Sequence, residues 1–212
     1  MAYFFIGGIH MIKKLVVGSI QENCYIISHS EGTLLVDPGD EALRIIAYLK
    51  DHHLKADALL ITHGHFDHIG AIDKLYAEYG CPIYAHSDTI PVMHDGRLNL
   101  LDDSHLTDAP VIEMKPRMKL AAYDIMMFET PGHCQGCCIY YIKEEEALFT
   151  GDTLFCGSVG RYDFPTSSFE DTMKSMHLIS ALPFDAKVYP GHGPETTLSK
   201  EKMNNPYLDH II

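Results

Sequence analysis

The sequence predicts an α+β domain in which two β-sheets pack against each other and helices lie outside them. Two observations point there. Short apolar runs of strand length recur from Leu15-Val16-Val17 to Lys187-Val188-Tyr189, with helix-length segments among them in both halves of the chain. No Gly/Ser linker and no repeat of fixed period divides it. The 212 residues, 46% hydrophobic and 21% charged, suffice to bury a core without disulfides. One domain over residues 11–212 is expected. Residues 1–10 read as an extension or expression remnant, because Met11-Ile12-Lys13-Lys14 makes a natural start.

Leu15-Val16-Val17, Cys24-Tyr25-Ile26-Ile27 and Thr33-Leu34-Leu35-Val36 read as three strands, the last ending in the turn signal Asp37-Pro38-Gly39. Leu43, Ile46, Ala47 and Leu49 stand at helical spacing, with Asp40 where an N-cap would stand. His52 and His53 follow in a polar loop and are expected to be solvated. Next come a strand over 58–61, a helix over 72–79, a short strand over 82–85 and a short helix from a Ser87 cap to about His94. Residues 95–110 are polar and aperiodic, either a cover over a site or a connector. In the second half, Leu120 and residues 123–128, 138–142 and 147–150 read as strands, and Glu144-Glu145-Glu146 as an exposed hairpin tip. A helix over 169–182, a strand over 187–189 and a helix over 197–204 complete the chain.

The formal net charge of −13 argues against a nucleic-acid surface, which needs clustered Lys and Arg. Six scattered cysteines form no disulfide framework, and no signal peptide is evident. The apolar stretch from Tyr3 to Ile9 is too short for a membrane span. A reducing, cytoplasmic compartment is the expectation.

The densest chemistry lies in Thr62-His63-Gly64-His65-Phe66-Asp67-His68-Ile69-Gly70. It packs three histidines and one aspartate into a strand-to-helix loop. Folding does not ask for that, whereas a metal site does, because His nitrogen and Asp oxygen hold Zn²⁺ and similar ions. Three later strands end in Gly or Pro beside one further donor: Pro131-Gly132-His133, Gly151-Asp152 and Pro190-Gly191-His192. Glycine lets the backbone turn sharply enough to aim a ligand back over the sheet edge. The seven candidates are too many for one tetrahedral ion and suit two ions roughly 3.5–4 Å apart with a bridging carboxylate.

On these motifs the chain resembles the metallo-β-lactamase superfamily, and within it the glyoxalase II (hydroxyacylglutathione hydrolase) group, from Asn23 to His192. The resemblance implies an αβ/βα four-layer sandwich with the metals at one edge. It implies that His63, His65 and His133 bind one ion, that Asp67, His68 and His192 bind a second, and that Asp152 bridges. Asp37 would buttress the metal loop. Catalysis would fall to Asp67 and to a metal-bound water held by His63, His65, His133 and Asp152. Two divalent ions, Zn or else Fe or Mn, are the implied cofactors, and a small anionic thioester the implied substrate. Arg161 and Tyr162 are the candidate substrate-binding residues, although Arg161 could equally form a structural ion pair, and Tyr162 and Phe155 could be core.

Departures sharpen this picture. Lactamases of the superfamily usually carry Cys or Ser where Asp152 stands, which sets the chain apart from lactam hydrolysis. It resembles short members that lack the helical C-terminal domain of full-length glyoxalase II. The tyrosine that usually follows the last histidine is missing, since the run is His192-Gly193-Pro194. Cys134-Gln135-Gly136-Cys137 directly follows His133, with one thiol expected to pack and the other to be exposed. His86, His94, His105 and His177 have no metal-like context. A mononuclear-iron persulfide dioxygenase is the alternative on this fold, its iron held by residues corresponding to His63, His133 and Asp152, with Gly160-Arg161-x-Asp163 also similar.

Overall fold

The structure is a computed structural model that describes residues 11–101 and 107–208. The readings of residues 1–10 and of His105 lie outside the described residues. Strands β1 (Met11–Val17), β2 (Glu22–His29) and β3 (Gly32–Val36) form an antiparallel meander. Strands β4 (Ala58–Ile61), β5 (Ile83–Ala85) and β6 (Val111–Glu113) add to it in parallel. A parallel neighbour needs a crossover. α1 (Ala42–Asp51) lies between β3 and β4, and α2 (Phe66–Ile69) and α3 (Ile72–Tyr79) between β4 and β5. α4 (Thr89–Met93) follows β5.

The second sheet repeats the plan. β7 (Arg117–Leu120), β8 (Tyr123–Glu129), β9 (Cys138–Ile142) and β10 (Ala147–Gly151) run antiparallel in turn. A small hairpin, β11 (Leu154–Phe155) and β12 (Ser158–Val159), precedes α5 (Phe169–Ser180). β13 (Lys187–Pro190) returns parallel to β10, and β14 (Thr196–Thr197) pairs with β13 at the edge, before α6 (Leu198–Asn204).

Three apolar layers make this the expected αβ/βα sandwich. Tyr25, Ile27, Leu34 and Leu60 of one sheet meet Tyr123, Ile125, Tyr140 and Phe149 of the other. On the outer face of the first sheet, Ile45, Leu49, Ile72 and Leu75 of the helices cover Leu35, Leu59 and Ile83. Met176, Ile179 and Leu198 cover Ile139, Leu148 and Val188 on the other side. Each central strand is thus buried on both faces, which is why β4 and β9 read as unbroken apolar runs without alternation. No helix among the described residues is long and apolar enough to cross a membrane.

Some local readings change. Asp40 does not cap α1: its carboxylate accepts the Glu41 N–H at 2.6 Å, and Glu41 itself enters the helix in a left-handed conformation. Asp88, not Ser87, stands at the start of α4, with no side-chain cap there. β1 begins at Met11, four residues before the apolar core of the run. β6, β11, β12 and β14 span two or three residues each, too few to show a period. The Glu144 tip is a 3₁₀ turn over Lys143–Glu145, as a solvated connection requires.

Candidate metal centre

The ends of β3, β4, β8, β10 and β13 lie along one edge of the sandwich, because β3 and β4 are parallel, and so are β10 and β13, while β8 and β10 both flank β9 antiparallel. β4 leads into the loop that carries His63, His65, Asp67 and His68, and each of the other four strands leads to one polar group there. β3 ends at Asp37, which is 2% exposed and left-handed at φ 48°. Its Oδ1 accepts the Thr62 N–H at 2.7 Å, and its Oδ2 accepts the Thr62 hydroxyl at 2.6 Å and pairs with His68 Nδ1 at 3.0 Å. Asp37 is therefore the buttress the resemblance implies. Asp37 also falls within ligand range of His63 and His68, but both its oxygens are already engaged by Thr62 and His68.

All seven candidate ligands converge. One nitrogen from each of His63, His65 and His133 forms a group whose atoms all lie within 4.8 Å of one another, and Asp67, His68 and His192 form a second. His68 Nε2 lies 3.4 Å from Asp67 Oδ2 and 3.4 Å from Asp152 Oδ1. Asp152 Oδ2 lies 3.6 Å from His133 Nε2 and 3.7 Å from His192 Nε2. These spacings are long for charge-assisted hydrogen bonds, which run about 2.7–2.9 Å. They match donors about 2.1 Å from a tetrahedral ion, which stand roughly 3.4 Å apart.

Orphaned atoms give the same answer. His63 Nε2, His65 Nε2, His68 Nε2 and Asp152 Oδ1 are buried without a hydrogen-bond partner. His65 Nδ1 and His133 Nε2 face each other at 2.9 Å, close enough for one to hydrogen-bond the other or for one ion to take both. Burial, helped by the neighbouring imidazoles, pushes His65 down to about 3 and His63 well below the ordinary imidazole value, so both are neutral donors. The other half is carboxylate-rich. Burial opposes charge on His68, yet Asp67, Asp152 and Asp37 hold it well above its usual value. Likewise burial would raise Asp152, but His68, His133 and His192 hold its carboxyl low. A cation is what this half of the site calls for, and the donor set of imidazole and carboxylate fits Zn, Fe or Mn.

The outer contacts orient the donors. His133 Nδ1 meets the Arg161 carbonyl at 2.8 Å, and the Ser167 hydroxyl donates to the His133 carbonyl at 2.5 Å. His192 Nδ1 faces the Gln21 carbonyl at 3.3 Å. A ring nitrogen tied to a carbonyl leaves the other free to ligate. Gln21, Glu22 and Asn23 carry no sequence signature of a site, and Thr62 stands in the motif without one for its bonds to Asp37. Glu22 is 1% exposed, and burial raises its carboxyl well above the usual range. A charge two residues before the apolar run Cys24-Tyr25-Ile26-Ile27 was the available signal.

Arg161 and Tyr162 line a surface cleft with Gly160, Asp163 and Tyr207. The Arg161 fork is occupied by Asp163 at 2.8 and 2.9 Å and lies 4.5 Å over the Phe164 ring, so the structural ion pair exists. Tyr162 packs its ring on Phe169 and is 38% exposed. Phe155 stands 6.2 Å from His192, ring to ring. The expectation of one exposed thiol fails: Cys134 and Cys137 are both buried, their Sγ atoms 3.2 Å apart, because the Gln135-Gly136 turn packs against α4 through the Thr89 hydroxyl on the Gly136 carbonyl. His52 and His53 are exposed, as a polar loop implies.

Gly191 shows how tightly the edge is built. A Cβ there would lie 2.3 Å from Asp152 Oδ1 and 2.6 Å from His68 Cε1. Gly191→Ala is expected to weaken metal binding about tenfold or more, by displacing these donors. A competition titration with a chromophoric chelator measures this; unchanged affinity would count against the donor geometry.

Comparison with known proteins agrees with this geometry. The family model described as the metallo-beta-lactamase superfamily matches residues 17–192. A probable metallo-hydrolase of Bacillus subtilis, YqgX, is 34% identical over 93% of this chain and 97% of its own length. The hydroxyacylglutathione hydrolase GloC of Haemophilus influenzae is 32% identical over 93% of this chain and 98% of its own. Among solved structures, the BLEG-1 B3 metallo-beta-lactamase superposes with a TM-score of 0.86 at 34% identity, covering 93% of this chain and 99% of that one. The fold, the His/Asp metal cluster at the sheet edge and these matches place the chain in the metallo-β-lactamase superfamily.

Proposed function

We propose that the protein is a dinuclear metal-dependent thioester hydrolase, acting on small anionic thioesters of the S-2-hydroxyacyl-glutathione type. The observation that carries the two-ion reading is Asp152, whose carboxylate reaches His68 with one oxygen and both His133 and His192 with the other. His63, His65 and His133 would hold one ion, Asp67, His68 and His192 the other, with Asp152 shared. When bound, such ions lower the pKa of a coordinated water toward about 7 and stabilise developing negative charge.

The protein's own groups do the rest. Asp37 fixes His68 through Nδ1, and the Arg161 carbonyl fixes His133, so the donors are set before substrate arrives. Asp67 Oδ2 stands 3.1 Å from His192 Nε2 and 11% of its side chain is exposed, which puts a carboxylate at the rim where substrate enters. No Ser or Cys nucleophile is required. The exposed Arg161–Asp163 pair is weakly held, so a substrate carboxylate can replace Asp163 on the guanidinium fork. Similarity to a hydroxyacylglutathione hydrolase supports this substrate class.

The alternative is the mononuclear-iron persulfide dioxygenase, with iron on His63, His133 and Asp152. It leaves Asp67, His68 and His192 unused although they are equally well gathered. One experiment separates the readings: metal content, with thioester, glutathione persulfide and cephalosporin assays on the same sample. Two ions per chain and thioesterase activity lost on chelation and restored by Zn²⁺ are expected. One Fe(II) per chain with sulfite production would establish the dioxygenase instead. Cephalosporin turnover exceeding thioester turnover would replace the substrate class.

A further inference from the structure

Glu22 opens β2, and it is the oddest charge in the molecule. It is 1% exposed, and neither carboxylate oxygen has a hydrogen-bond partner among the described residues. Buried carboxylates are normally paired, and one left bare has a cost that something else must offset. Its one ion-pair contact among the described residues is the His68 imidazole, whose Nδ1 lies 4.0 Å from Oε1. The groups acting on it through space are His68, Asp37, Asp67 and Asp152, three of them acidic.

The surroundings are built to admit it. A Cβ on Gly39 would lie 2.8 Å from Glu22 Oε2 and 1.5 Å from the Asp67 carbonyl, so glycine alone lets these segments meet. The flanking residues serve the same half of the centre. The Gln21 carbonyl faces His192 Nδ1, the Asn23 N–H donates to the Gly191 carbonyl at 2.8 Å, and the Asn23 amide donates to the Pro190 and Gly193 carbonyls. Glu22 itself bridges to His192 through the main chain. Three consecutive residues at the start of β2 thus converge on the His68 and His192 half.

We infer that Glu22 is a positioning residue for the ion held by Asp67, His68 and His192, a carboxylate kept bare and buried behind His68 so that its charge acts on that ion through the imidazole. Without the ion, Glu22 is a buried carboxyl group with no hydrogen-bond partner among the described residues, which is a cost to the fold. With the ion bound, Glu22 would stand with Asp37, Asp67 and Asp152 as one of four acidic side chains around it. The site trades metal-free stability for affinity at the second position.

The inference rests on the two-ion reading, and its test keeps the two apart. Wild type, Glu22→Gln and Glu22→Asp are stripped with chelator, then titrated with Zn²⁺ against a chromophoric competitor, and their thermal unfolding is followed with and without Zn²⁺. In Glu22→Gln the second ion is expected to bind about 10–100-fold more weakly, with the first ion unaffected. Its metal-free melting temperature should equal or exceed that of wild type, so its gain in melting temperature on metal addition is smaller. Glu22→Asp, which keeps the charge, should recover part of the second-ion affinity. A Glu22→Gln protein that melts lower without metal and binds both ions as wild type does would make Glu22 structural and overturn the inference alone. A wild type binding only one ion would overturn the two-ion reading and this inference with it.

Discussion

Replacing His65 with alanine is expected to abolish hydrolysis and leave the fold standing. His65 is 3% exposed, its Nε2 meets no partner, and its Nδ1 faces His133 Nε2 at 2.9 Å. Its backbone carbonyl accepts the His68 N–H at 3.0 Å, and alanine keeps that bond. Beyond the contact with His133, the side chain only packs its ring against His63 and Phe164, so little of the fold depends on it. On the two-ion reading, removing it deletes one of the three nitrogens that would hold the first ion, and it also removes a buried, unsatisfied polar atom. The loss in kcat/KM should be about 10³-fold or more, roughly 4 kcal/mol of transition-state stabilisation. Without metal, the melting temperature should stay within a few degrees of wild type, since the lost ring packing against Phe164 is offset by the lost desolvation penalty. Steady-state assays, metal stoichiometry and circular dichroism on one preparation measure all three. His52→Ala, at an exposed ring stacked on Tyr48, is the control that should change none of them. Retained activity in His65→Ala would break the assignment.

That prediction was available from the sequence because the seven donors are written locally. Four crowd into the loop after one apolar strand, and the other three each follow a strand-length apolar run and a Gly or Pro, where ligand residue types are rare enough to stand out. The sandwich was legible for a related reason: β4, β9 and β10 are buried on both faces and read as apolar throughout. What supports the donors was not legible, because support is made by main-chain atoms and by distant partners. The Arg161 carbonyl that holds His133 belongs to every residue type alike. Arg161 drew attention for its charge, yet its guanidinium is paired with Asp163 and its carbonyl meets the site. Glu22 escaped notice because a single acidic residue at a strand end normally means solvent. The two thiols were misjudged for the same reason: a Gln135-Gly136 turn looks exposed until α4 is known to pack on it.

Asp37 carries the second large effect, and it concerns stability as well as metal. Asp37→Asn keeps the shape and tolerates the left-handed backbone at φ 48°, so strain is not introduced. The hydrogen bonding cannot be kept. The carboxylate accepts from the Thr62 N–H with one oxygen and from the Thr62 hydroxyl and His68 Nδ1 with the other. An amide offers one oxygen. If it faces the Thr62 N–H, the amide NH₂ confronts His68 Nδ1. His68 must then carry its proton on Nε2, and a protonated Nε2 cannot ligate. If the amide turns over, its NH₂ confronts the Thr62 N–H, and that buried donor is stranded. Either way about 2–4 kcal/mol is lost, since a buried group left unpaired costs 1–3 kcal/mol and the bonds here are charge-assisted. For a chain of this size that is roughly 5–15 °C in melting temperature without metal. Binding of the ion at Asp67, His68 and His192 should weaken about 10–100-fold as well. Asp37→Asn and Glu22→Gln make the same chemical change, carboxylate to amide, on either side of the same imidazole. They are expected to act with opposite sign on the metal-free fold, because Asp37 satisfies three donors and Glu22 satisfies none. Two thermal melts therefore separate a carboxylate that holds the loop together from one that the loop tolerates for the sake of the ion.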